Sequence, residues 1–344
     1  MRCKCENCGG QVNFSPENKG NVCSSCGSVF PIKYNYQFNK KPFSAVMGEE
    51  GVELASAVKS AKCLSCGANV IFPKFQVESV CQYCGSPAVS VSSKKKLMAI
   101  DSVIPFSFGK EEALKKFKLA VSKRFYANKR IFKNVTEKDV KGVYVNAFVF
   151  DMSVSSNYHG TFTYSKEYTN SKGERKFRTE YKTVSGVFEK NYDNLAVEAN
   201  SNLTQEELKS ILPFNYAQAV DFEDDFISGY MLEYKDKMFN ECVAVAENII
   251  KTDIETSLLR QYKCDHIQEL TLRTEYPIRT YNFCLLPVYF ISTTNKGKQY
   301  KAVMNGQNGN VGKLPTSAGK VLLTVFFALA FIIAIVFGIM FFCQ

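Results

Sequence analysis

Tryptophan is absent from this 344-residue chain, and histidine occurs only twice, at His159 and His266. Two histidines so far apart cannot form the His-Glu-x-x-His pair of a zinc protease, and neither a nucleophile elbow nor any other local catalytic signature appears. A phosphate-cradling loop is also missing. The nearest stretch, Gly306-Gln-Asn-Gly-Asn-Val-Gly-Lys-Leu314, has five residues between Gly306 and Gly312 and a Leu after Lys313, so it reads as a turn and excludes a nucleotide-driven motor. Glu223, Asp224 and Asp225 read as capping and solvated acids rather than a divalent-cation site. The opening residues "MRCKCENCGG" have no apolar run of the secretory kind, so the thirteen cysteines are expected in reducing cytosol rather than in a disulfide framework.

The cysteines themselves are strongly patterned. Cys5, Cys8, Cys23 and Cys26 form two Cys-x-x-Cys-Gly hooks separated by fourteen residues, and Cys63, Cys66, Cys81 and Cys84 repeat that spacing. Each hook can place two sulfurs on one edge of a tetrahedron, which suits structural Zn²⁺ better than a redox dithiol or an iron–sulfur cluster. Gly9, Gly27, Gly67 and Gly85 follow the second Cys of each hook, where a left-handed backbone turns amide N–H groups toward sulfur. Two zinc ions are therefore expected, held in closed sites that have no open position for catalysis. Cys3 is the spare thiol. The stretches between hooks alternate like hairpins and are poor in basic residues, which favours protein contact over nucleic-acid contact or a bare spacer role.

A formal charge of +10 invites a nucleic-acid reading. Residues 1–96 hold twelve Lys/Arg and six Asp/Glu, a net of +6. Two tetrathiolate zinc sites would each add about −2, leaving about +2, so bulk charge gives weak support for a phosphate-binding surface.

The remaining chain reads as α+β. Residues 110–125 carry Leu114, Phe117, Val121 and Phe125 at helical spacing, with acids first and bases later. Residues 142–200 alternate as an antiparallel sheet with one wet face and a turn at "TNSKGER". "SNLTQEELKSILPF" carries a helix start, "DKMFNECVAVAENIIKTDIETSLLRQY" a long amphipathic helix, and residues 266–315 further strands. Val321–Cys343 contains 23 uncharged residues, enough for a transmembrane helix with the body on the cytosolic side; Ala330, Ala334 and Gly338 form a small-residue stripe along it. The expected organisation is a zinc ribbon at 1–31, a linker with a short helix at 32–60, a second ribbon at 61–93, an α+β cytosolic body at 101–312, a linker at 313–320 and a single-pass anchor at 321–343.

Paired hooks together with "VIPFSFGKEEA", "GVYVNAFVFD", "LPFNYAQAVDFEDDFISGYMLEY" and "CLLPVYFISTTNKGKQYKAVMNGQNGNVGKLP" resemble the bacterial TFIIB-type zinc-ribbon proteins, a group also labelled PriA-like or primosomal-helicase-like. The resemblance covers nearly the whole chain and implies zinc at the eight hook cysteines, with no catalytic residue carried over. It also implies membrane association and an SPFH/flotillin-like protein partner. The family's aromatic "PFW" is here Asn146-Ala147-Phe148, consistent with the absence of Trp. The function expected from all this is a non-enzymatic, membrane-tethered adaptor for protein partners, with nucleic-acid binding as the alternative. No small-molecule substrate is inferred.

Overall fold

A computed structural model describes residues 4–48, 98–200, 202–233 and 237–317, and the backbone of three further strands at 58–63, 69–73 and 89–92. The strands in chain order are β1 (Val12–Ser15), β2 (Gly20–Cys23), β3 (Val29–Pro31), β4 (Lys41–Pro42), β5 (Val58–Cys63), β6 (Asn69–Pro73), β7 (Val89–Ser92), β8 (Ser102–Val103), β9 (Val140–Thr169), β10 (Arg175–Glu198), β11 (Val220–Asp221), β12 (Met231–Glu233), β13 (His266–Asn295) and β14 (Lys298–Asn305). The α-helices are α1 (Lys110–Lys123), α2 (Gln205–Ile211) and α3 (Phe239–Tyr262).

Strands β1 to β3 form a small separate sheet, and the other eleven form one large sheet. Its centre is the antiparallel pair β9–β13, each 30 residues long. Both strands run on through bulges such as that between Glu275 and Ile278, changing from burial on both faces at the core to alternation with one wet face farther out. Strand β10 returns along the outer edge of β9 after a turn at 170–173 in which Gly173 takes a φ of +79°.

The first third of β9 is buried on both faces, the middle on one, and the tip from Ser165 to Thr169 on neither. On the odd-numbered face Val143, Val145 and Val149 pack with Leu286, Val288 and the α2 residues Leu208 and Ile211. On the even-numbered face Val140 and Tyr144 pack with Tyr289 and the α1 residues Phe117 and Val121. Further along that face Phe148, Phe150, Met152, Val154, Tyr158 and Phe162 lie under α3, which buries Phe239, Cys242, Ala246, Ile250, Ile254 and Leu258, a stripe at helical spacing. Helices α1 and α3 thus share one face. Beyond Asp151 the strands β10, β9 and β13 form a distal blade; among the described residues no helix covers its odd-numbered face, where Ser153, Ser155, Asn157, His159, Thr161 and Thr163 lie beside the exposed Tyr181, Val187 and Ile278.

Two expectations are corrected. The class is not α+β with helices and sheet in balance: among the described residues the protein is mainly β, with three helices laid on one dominant sheet. The sheet prevails because its alternating pattern runs through 24- and 30-residue stretches that no helical period interrupts. The membrane-spanning helix and the single-pass membrane location also fail: among the described residues no helix is long and apolar enough to cross a membrane. The longest, α3, carries Glu241, Glu247, Lys251, Asp253, Glu255 and Arg260 opposite its buried stripe, so it packs on a sheet rather than in lipid. Val321–Cys343 itself lies outside the described residues.

Candidate metal centre

Cys5 and Cys8 flank the knuckle before β1, and Cys23 and Cys26 the knuckle after β2, so pairing Val12 with Cys23 brings the two hooks together. The four sulfurs lie within 4.8 Å of one another and form a group that can hold a metal ion. Cys5 Sγ lies 3.6 Å from Cys26 Sγ, and Cys8 Sγ 3.5 Å from Cys23 Sγ. Those separations are about what four thiolates around one ion at ~2.3 Å require. Cys5 and Cys23 are buried while Cys8 and Cys26 face solvent. Gly9 and Gly27 adopt φ of +75° and +73°, the left-handed conformation expected after each hook.

The surroundings favour thiolate at Cys23 and Cys26. The backbone N–H groups of Cys26 and Ser25 lower the Cys23 thiol, Ser25 N lying 3.4 Å from its sulfur. Ser28, through side chain and backbone, pulls the Cys26 thiol down to about 6; its Oγ is 3.0 Å from Cys26 Sγ. A Gly10 backbone bond acts the same way on Cys8, but proximity to the Cys26 and Cys23 sulfurs outweighs it and pushes that thiol up to about 12. Four thiols this close cannot all ionise without a cation between them, which is the electrostatic signature of a metal site.

The ribbon is fused to the body. Phe14 enters the even-face core, 5.7 Å from the Phe226 ring and 6.3 Å from that of Tyr230. Phe14 N donates to Ser228 O, and Ser228 Oγ donates to Val12 O at 2.7 Å. Glu17 accepts from Gly109 N at 2.7 Å and so caps α1 in place of a local side chain. Beyond β3 the chain crosses the body: Gln37 bonds to Asp221, Lys40 to Asp151 and Asn194, and β4 pairs with Thr280–Tyr281. None of these docking contacts was foreseen, although Phe14 between the hooks is an apolar residue that a free ribbon would leave wet.

The second group is not brought together within the described residues. Cys63 ends strand β5, and Cys66, Cys81 and Cys84 lie outside them. His159 sits mid-strand on the wet face with Nδ1 2.8 Å from Ser185 Oγ, while His266 opens β13. Glu223 is the N-cap residue of a short 3₁₀ turn formed by Asp224–Ile227, but its side chain makes no capping hydrogen bond. The Gly306–Leu314 stretch is a turn whose Asn305 side chain donates to Ile211 O and accepts from Gln307 N, a structural latch.

No family model matches the chain, and no solved structure matches it. The chain is similar to a Bacillus subtilis (strain 168) protein described as "Uncharacterized protein YdjG", 25% identical over 323 residues, covering 92% of this chain and 91% of that one.

Proposed function

We propose that this chain is a non-enzymatic adaptor in which a zinc-stabilised ribbon, mounted on a rigid sheet, presents its knuckles to a protein partner. The observation that carries this reading is the orientation of the ribbon. Its hairpin is bonded to the body while the knuckles face outward, exposing Glu6, Asn7, Gln11, Ser24 and Ser25 beside the exposed Lys4. A tetrathiolate zinc site would add about −2 there, so the surface suits polar protein contacts better than phosphates. Zinc is the ion favoured by a closed four-sulfur site, and Cys63, Cys66, Cys81 and Cys84 are proposed to hold a second. The family resemblance adds an SPFH/flotillin-like protein as a candidate partner.

A second reading, nucleic-acid binding, is favoured by a different region. Lys118, Lys123, Arg130 and Lys133 are exposed around α1, with no ion-pair partner among the described residues, beside exposed Phe125 and Tyr126. Cations interleaved with aromatic rings are what a single strand binds.

Affinity purification of the intact chain, beside a Glu6→Lys, Ser24→Lys, Ser25→Lys variant, separates the two. The adaptor reading expects a protein that co-purifies with wild type and is lost from the variant. Retention of the same partners by the variant, together with RNA or DNA binding that weakens steeply with salt, would refute it in favour of the second. Elemental analysis should give two zinc ions per chain; one would confine the metal to Cys5, Cys8, Cys23 and Cys26.

A further inference from the structure

Strand β10 is the outer strand of the distal blade. Its 24 residues pair with β9 alone, so among the described residues its other edge carries an unpaired row of backbone donors and acceptors. Such edges are normally blunted by proline, bulges or charge at the centre. Here the ladder is regular from Arg175 to Tyr192, and its middle, Thr183-Val-Ser-Gly-Val-Phe188, holds no charge and no proline. Large apolar side chains lie exposed along the same strand: Phe177 at 73%, Tyr181 at 61% and Val187 at 59%.

The charge sequence of the strand says what fits it. In the first half Arg175, Lys176, Arg178 and Lys182 outnumber Glu180, and in the second Glu189, Asp193 and Glu198 outnumber Lys190. A second β10 running antiparallel sets the basic half of each copy against the acidic half of the other. Register then decides, because directly opposed residues must share a face and like charges must not meet. With Ser185 on the two-fold axis, Glu180 faces Lys190, Tyr181 faces Glu189, Lys182 faces Phe188, Thr183 faces Val187 and Arg178 faces Tyr192. No like charges oppose. Moving the axis to Val184 sets Arg178 against Lys190, and moving it to Gly186 sets Lys182 against Lys190. The favoured register also ends at Tyr192, where the β10 bulge begins.

We infer that two copies of this chain join edge to edge through β10, with Ser185 on the two-fold axis, extending the three-stranded blade into a continuous six-stranded sheet. Val187 and Tyr181 then lie diagonally across the junction, which covers two of the three exposed apolar side chains. Both α3 helices lie on the same face of the joined sheet, and the helix-free surfaces merge on the other. The contact is isologous and closes at two copies, consuming the edge that would otherwise template further addition.

Directly opposed Cα atoms in an antiparallel pair are about 4.5–5.5 Å apart, within the range a disulfide bridges. Full-length Ser185→Cys should therefore form a covalent dimer under mild oxidation, well above the wild-type background from native thiols. Asn157→Cys, on the same face but in the middle strand, should not. Light scattering on the wild-type chain should give the mass of two copies. Glu180→Lys, which sets like charges against Lys190 twice, should raise the dimer dissociation constant about 10-fold. A wild-type monomer at tens of micromolar, a dimer that Ser185→Cys does not cross-link, or equal cross-linking at Asn157→Cys would each overturn the inference. If Glu180→Lys loses its β-sheet circular dichroism, cross-linking and mass decide alone.

Discussion

Ser28 governs how well Cys26 holds a cation. Its hydroxyl lies 3.0 Å from Cys26 Sγ, and its side chain and backbone together bring that thiol down to about 6. Groups one step removed from a metal typically change affinity ~10–100-fold when lost. Ser28→Ala should therefore weaken zinc binding by at least ~10-fold in a competition titration against a chromophoric chelator, while Ser24→Ala, whose hydroxyl bonds to Gln11 O, should leave it unchanged. At the other end of the molecule Asp253 ties β10 to α3. Partial burial works to raise its carboxyl, but bonds from Lys190 and Tyr192, each 2.7 Å, outweigh it and hold the group below its ordinary value of 3.8. A depressed carboxylate pKa stabilises the fold above the ordinary value and stops doing so as pH falls through the folded one. Wild type should thus be more stable than Asp253→Asn at neutral pH in urea titrations, and that advantage should shrink as pH drops below about 4.

Among the elements, α2 depends most on a single local device. Thr204 accepts from Glu207 N at 3.1 Å while Glu207 Oε2 accepts from Thr204 N at 2.9 Å, so each satisfies a donor the helix leaves open. Leu208 and Ile211 are carried by this seven-residue helix into the odd-face core. Thr204→Ala should cost about 1 kcal/mol by chemical denaturation. Glu207→Ala should cost more, because Glu207 also pairs with Lys301 at 2.9 Å. A smaller loss for Glu207→Ala would show that the cap and ion pair do not act together. This capping box was legible in "LTQEEL" because its residues are neighbours in sequence, and the amphipathic stripe of α3 was legible for the same reason. Phe125 was misplaced on the face of α1: the helix ends at Lys123, and Phe125 is exposed beyond it. What short-range pattern conceals is how far a strand continues. Alternation says which face a residue takes but not whether a partner is present to extend the ladder, so residues 266–315 read as strands without showing that the first runs for 30 residues.

At the scale of the whole molecule, the hooks announced a metal site but not what the site is mounted on. Spacing specifies the four sulfurs, whereas Phe14 against Phe226, and Glu17 on Gly109, join residues 212 and 92 positions apart, beyond the reach of any local motif. Those contacts link the metal to the body. The ribbon's own buried cluster is only Cys5, Val12 and Cys23 with Phe30 against it, too small to hold three strands without an ion. Chelation should therefore do more than empty the site. Once the hooks part, β1 no longer holds Phe14 in the even-face core, Ser228 loses its bond to Val12, and α1 loses the carboxylate at its first turn. Hydrogen exchange after zinc removal should show protection lost at residues 12–23 and also at 226–230 and 109–113, while 143–150 and 283–290, at the centre of the β9–β13 ladder, exchange as slowly as before. Phe14→Ala in the metal-loaded protein should reproduce the loss at 226–230 while keeping the metal, because it removes the docking ring and leaves the hooks intact. If 226–230 stays protected after chelation, ribbon and body are coupled by something other than the ion, and the thiols do not govern the surface they support.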